Sequence, residues 1–209
     1  RGTVKHYYSE TGQLTDKEWL TGVLSGFTES FGQDTFGREN SFTLNNGVDN
    51  FHELERRYDS AGRLHKIIHD DDQATYYYND AGQVDNFVRS KNGTSVVSTN
   101  KNYDSLGRLE SIHHANASST IQSFTYRLNN TNQRTRTTES TGQYWVYSYD
   151  SKNQLESAVK YLADGTEIPG LNFQYGFDDV GNRKTAEGVG YRSNSLNQYT
   201  DRDVLDTID

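Results

Sequence analysis

The chain has 209 residues, of which 32% belong to the hydrophobic class, with a mean hydropathy of −0.95 and a formal net charge of −8. The absence of cysteine excludes disulfides and thiolate-ligated metals. The acidic balance excludes a phosphate-backbone partner, and no apolar run approaches the roughly 20 residues of a membrane span. So little apolar area would ordinarily fail to offset the entropy of ordering the chain. Fifteen Tyr, nine Phe and two Trp offer another route, a thin core of rings whose Tyr tips stay wet.

In chain order, Arg1 to Glu10 lacks the apolar segment of a signal peptide, so a secretion signal is expected outside this fragment. Tyr8 to Leu14, with Gly12, is the first copy of a seven-residue pattern. Residues 15–50, with Trp19, Phe27, Phe31, Phe36 and Phe42, fit the pattern poorly and read as divergent hairpins. The clearest copies are Tyr58-Asp59-Ser60-Ala61-Gly62-Arg63-Leu64 and Tyr103-Asp104-Ser105-Leu106-Gly107-Arg108-Leu109, identical at six of seven positions. Tyr78 to Val84, with Gly82, lies between them; Tyr149-Asp150-Ser151-Lys152-Asn153-Gln154-Leu155 and Phe177-Asp178-Asp179-Val180-Gly181-Asn182-Arg183 lie beyond. Tyr126 to Asn130 and Ser195 to Tyr199 read as degenerate members. The starts from Tyr58 to Phe177 are 20 to 28 residues apart, room for two strands and two turns.

The chemistry of the heptad is that of a turn. Asp at its second position accepts from backbone N–H groups two residues on, and the fifth position requires positive φ. That position is Gly12, Gly62, Gly82, Gly107 or Gly181, or else Asn130, Asn153 or Asn197, the two residue types that enter the left-handed region most cheaply. A hairpin with a glycine-type bulge follows at 59–62, 79–82, 104–107, 150–153 and 178–181, with Tyr and Leu packed across it. Alternating aromatics, Trp145-Tyr147-Tyr149 and Leu171-Phe173-Tyr175-Phe177, mark strands with one aromatic face. A single proline, Pro169, suits long hydrogen-bonded ladders. The expected fold is therefore all-β, consecutive antiparallel hairpins in one domain over 1–209, clearest over 51–200.

These heptads, the Phe177 variant and the Ser195-Leu-Asn-Gln-Tyr199 ending resemble the YD repeats of bacterial RHS and wall-associated proteins, Tc-toxin C components and animal teneurins. The resemblance covers roughly residues 50–200. It implies a sheet of hairpins that curves or spirals into a shell, of which this chain is a partial, barrel-like segment. It also implies partners, namely the remaining repeats of a parent chain and an enclosed C-terminal effector, and a secreted or cell-surface location. The self-cleaving aspartates and effector of full-length relatives are expected outside this segment.

Signals for other chemistry are sparse. His65 and His69, beside Asp70, Asp71 and Asp72, are the one grouping that suggests a metal; the acids read instead as a solvated turn, and no metal or cofactor is expected. No nucleophile elbow or phosphate-cradling loop occurs, and the repeated Asp residues have a turn role, so no catalytic residue is assigned. The aromatic stripes read as the sheet's apolar face. The rival reading is a carbohydrate- or surface-binding adhesin in which Trp19 and Trp145 stack on sugar rings.

Overall fold

The computed structural model describes residues 2–186 and 188–204; the ends of the expected 1–209 domain lie outside them. Among these residues there are eighteen strands and no helix. They are β1 (Val4–Tyr8), β2 (Leu14–Trp19), β3 (Thr28–Gln33), β4 (Glu39–Asn45), β5 (Asn50–Tyr58), β6 (Leu64–His69), β7 (Asp72–Tyr78), β8 (Val84–Lys91) and β9 (Thr94–Tyr103). There follow β10 (Leu109–Ala115), β11 (Thr120–Leu128), β12 (Arg134–Glu139), β13 (Tyr144–Tyr149), β14 (Leu155–Tyr161), β15 (Glu167–Phe177), β16 (Arg183–Ala186), β17 (Val189–Ser193) and β18 (Tyr199–Val204). Two compact units divide the chain, one of Arg1–Lys101 with His114–Ile121, the other of Asn102–His113 with Gln122–Asp209.

In the first unit β1 to β9 pair antiparallel in chain order, and in the second β11 to β18 do the same, as open ladders. The all-β reading and the hairpin positions therefore hold. Residues 15–50 are hairpins too, but they are not all divergent. Asp34-Thr35-Phe36-Gly37-Arg38 closes β3 on β4 with the same backbone bonds as Asp59 to Arg63. Gln33 and Glu39 stand there in place of Tyr and Leu, which is why the heptad pattern passes over it.

A second correction concerns the degenerate copy at 126–130. The left-handed residue is Asn132 (φ 64°) rather than Asn130, and Asn129 N–H donates to Gln133 O at 2.9 Å. The repeat thus begins at Leu128, which pairs with Arg134 as Tyr58 pairs with Leu64.

Each turn is a three-residue loop of the kind expected. Gly62 N–H donates to Asp59 O (2.9 Å), Asp59 N–H donates to Arg63 O (2.8 Å), and Gly62 takes φ +81°. A further irregularity follows it. Arg57 pairs with Lys66 but Tyr58 with Leu64, so His65 is skipped. Eight repeats among the described residues shift register at this place, which makes the bulge part of the repeat and a local source of twist. Pro169 sits in another interruption, since Val159 pairs with Asn172 but Tyr161 with Glu167.

The strands alternate as their sequences require. On β5, His52, Leu54, Arg56 and Tyr58 are half-buried while Glu53, Glu55 and Arg57 are exposed. On β15, Leu171, Phe173 and Tyr175 are half-buried and Asn172 and Gln174 exposed. Among the described residues no large side chain is fully buried, and the buried ones are small: Ala158, Ala186, Thr99 and Thr137. Ala158 pairs with Tyr147 on one side and Phe173 on the other, so small residues alternate with rings across the ladder.

Replacing Gly107 (φ +74°) with Val forces a β-branched residue into the left-handed region. Urea denaturation is expected to show a loss of about 1–3 kcal/mol, with a smaller loss for Gly107→Asn.

Candidate functional site

In a ladder paired in chain order, every second connection falls on the same edge. Within the first unit the turns that start at Ser9, Asp34, Asp59 and Asn79 share one rim; within the second, those that start at Asp104, Asn129, Asp150, Asp178 and Asn194 do so. The heptad's polar chemistry is concentrated here.

Each turn is closed by its own second residue. Asp59 Oδ1 accepts from the N–H of Ala61 (3.0 Å) and of Arg63 (2.8 Å), while Oδ2 accepts from Arg63 Nε (2.7 Å). Asp34 and Asp104 repeat the arrangement with Arg38 and Arg108. Asp178 uses Asn182 Nδ2 in place of a guanidinium (2.9 Å), and Asp150 accepts from the N–H groups of Lys152 and Gln154 (both 2.8 Å). A neutral version serves at Asn79, whose Oδ1 takes Gln83 N–H at 2.9 Å. The fifth position there or beyond is Gly82, Gly107, Gly181 or, at Asp150, Asn153 with φ 65°.

The sixth residue also reaches the following turn. Gln13 Nε2 donates to Gly37 O (2.9 Å), Arg108 Nη1 to Asn129 O (3.1 Å) and Asn132 Oδ1 (3.0 Å), and Gln133 Nε2 to Asn153 Oδ1 (3.1 Å). Asn182 Nδ2 continues the series to Asn197 Oδ1 (3.2 Å). Sequence reasoning assigned no role to this position.

The first-position Tyr points backward along the array. Tyr58 pairs with Leu64 and Tyr149 with Leu155 across their hairpins, but the hydroxyls go to the preceding repeat. Tyr58 donates to Glu39 O (2.7 Å), Tyr78 to Leu64 O (2.5 Å) and Tyr149 to Arg134 O (2.9 Å). The acceptor is the seventh residue of the repeat before. The sixth residue of that repeat covers the ring: Arg38 lies 4.2 Å from the Tyr58 centroid and Arg63 4.3 Å from that of Tyr78. Phe177, in the same position, pairs with Arg183 and lacks the hydroxyl.

The remaining candidates lie elsewhere. Trp145 is half-buried, stacked on Phe173 (5.7 Å, 17°), with Lys160 5.7 Å above it and bonded to Glu139 at 2.9 Å. Trp19 is half-buried beside its partner Val4. His65 Nδ1 sits 3.0 Å from Tyr76 O, and the His69 ring meets that of His52 at 4.5 Å, tilted by 37°. No cluster of three His, Asp or Glu side chains able to hold a metal occurs among the described residues.

Arg38 holds the Asp34 carboxyl below the ordinary value of 3.8, as the Arg63 and Arg108 N–H groups do for Asp59 and Asp104 and the Asn182 amide does for Asp178. Burial pushes the Tyr78 and Tyr149 hydroxyls above 10. A lowered carboxyl contributes fully above its unfolded value, near 4, and loses that contribution as pH falls through its folded value. A raised phenol contributes fully below about 10 and loses it as pH rises further. Urea midpoints are expected to be flat near neutrality, to fall below about pH 4 and to fall again above about pH 10. Asp59→Asn with Asp104→Asn should flatten the acid limb; an unchanged limb would contradict the assignment.

No family model matches the sequence, and no curated protein does. Solved structures share its fold at low identity. The Tc holotoxin pore of Photorhabdus luminescens aligns with TM-score 0.70 and 14% identity over 94% of this chain and 12% of the toxin chain. TcdB2-TccC3 without its hypervariable C-terminal region aligns at 0.71 and 13%, over 95% and 12%. The chain is folded like a short segment of these Tc toxin chains, in keeping with its resemblance to YD repeats.

Proposed function

We propose that the chain is a non-catalytic structural segment of a secreted YD-repeat protein, contributing hairpins to a β-shell that encloses or displays a toxin effector or surface module. The observation that carries this reading is the rim. Its Asp carboxylates close turns, its sixth residues bind the next turn, and its Tyr hydroxyls bind the turn before. The repeat's polar groups are thus used on neighbouring repeats of the same kind. The toxin chains that share the fold support the reading, and the partners it implies are further repeats of the parent chain and an enclosed effector.

The adhesin alternative needs rings open to a sugar. Trp145 is instead half-buried, its ring stacked on Phe173 and in contact with the Lys160 ammonium. Trp145→Ala and Tyr149→Ala are therefore expected to lower the urea midpoint, each by up to the roughly 3–5 kcal/mol of buried aromatics and by less in proportion to exposure. A glycan array probed with the same proteins should show no binding by the wild type. Glycan binding that Trp145→Ala abolishes without a stability loss would overturn the structural reading.

A further inference from the structure

One first-position ring lacks the guanidinium that covers its counterparts. Arg38 lies on Tyr58 and Arg63 on Tyr78, each from the sixth position of the repeat before. Before Tyr149 that position is Gln133, whose amide donates to Asn153 Oδ1 (3.1 Å) and brings no charge to the ring. Beside Tyr149 there is a groove of about 340 Å³, lined by Leu128, Asn132, Arg134, Tyr147, Tyr149 and Leu155. The two leucines and the two tyrosines are half-buried, so the groove is mainly apolar and ringed on one side. Arg134 holds the seventh position, where Leu64 and Glu39 stand in other repeats, and its carbonyl takes the Tyr149 hydroxyl at 2.9 Å. Its guanidinium lies 4.0 Å from the Tyr126 centroid and has no carboxylate partner among the described residues. Arg38, Arg56, Arg63, Arg89 and Arg108 each have one.

We propose that this groove is a binding site for a small aromatic carboxylate, its ring against Tyr147, Tyr149 and the leucines and its carboxylate on Arg134. Sites for small molecules are concave and largely apolar, with a few polar groups that fix orientation. Here the apolar lining takes a flat ring, and the guanidinium supplies the one charge, a fork that matches a carboxylate. A cationic ligand would be repelled by Arg134. A sugar would set hydroxyls against Leu128 and Leu155, which return no hydrogen bond.

The test titrates the full chain with 2-naphthoate by isothermal calorimetry, with 2-naphthol as the ligand that keeps the rings and lacks the carboxylate. Saturable binding of one naphthoate is expected, with 2-naphthol roughly three- to tenfold weaker. Arg134→Gln, at an exposed position, should weaken naphthoate by a similar factor and leave 2-naphthol unchanged. Asn129→Asp with Gln133→Arg restores the carboxylate–guanidinium pair that Asp59 and Arg63 carry. Its new guanidinium should lie on Tyr149, fill the groove and abolish binding of both ligands, with the urea midpoint at or above that of the wild type. Absence of saturable naphthoate binding overturns the site. So does equal affinity for the two ligands, or unchanged naphthoate affinity in Arg134→Gln or in the folded double variant.

Discussion

The arrangement depends on one carboxylate in each turn. Asp59 binds two backbone N–H groups and the guanidinium of the residue that ends the loop, so a single side chain fixes the loop's conformation and its closing pair. That closure fixes register, and register decides which side chains share a face, since a slip of one residue exchanges the two faces of a strand. With Asp59 in place, Tyr58 faces Leu64 and the alternating His52 and Leu54 fall on the same side. The same bond aims Arg63 along the rim, where its guanidinium covers Tyr78 of the next repeat.

Stability in such a chain is lateral. The buried residues among those described are two alanines and two threonines, and most of the rings are half-buried, several of them in contact with rings on neighbouring strands. Phe31 meets Phe42, Phe42 meets His52 and His52 meets His69, each across one strand boundary. Trp145 and Phe173 stack across β14, where the small Ala158 stands between their strands. This is the logic of repeat proteins, in which each unit is stabilised chiefly by its neighbours. It explains how a chain with mean hydropathy −0.95 forms eighteen strands among its described residues, because Tyr contributes a ring to one contact and a hydroxyl to another.

The hairpins were legible in the sequence because their determinants are local. Gly62, Asn153 and their equivalents mark a backbone conformation, and Asp59 marks the acceptor three residues before it. Reading from the aromatic end was less secure. Tyr126 and Leu128 lie two residues apart on one strand and so on one face, and Tyr126 drew the register two residues early although Leu128 begins the repeat. The Asp34 turn was missed for the same reason; its Asp-x-x-Gly-Arg core is intact, and only the flanking Tyr and Leu are replaced. The rim contacts were not legible at all. They join residues about a repeat apart in sequence, and Arg, Gln and Asn interchange at the sixth position because each offers an N–H to the next turn.

The most direct test of lateral stabilisation is a double-mutant cycle between Arg63 and Tyr78, which belong to consecutive repeats and meet through the guanidinium and the ring. Arg63→Ala, Tyr78→Ala and the double variant would be compared by urea denaturation at pH 7, so that the loss of Arg63's bond to Asp59 cancels from the coupling. Neighbour-to-neighbour stabilisation predicts a coupling of about 0.5–1 kcal/mol. Effects that add to within about 0.3 kcal/mol would contradict it, and would mean that each hairpin stands on its own closure.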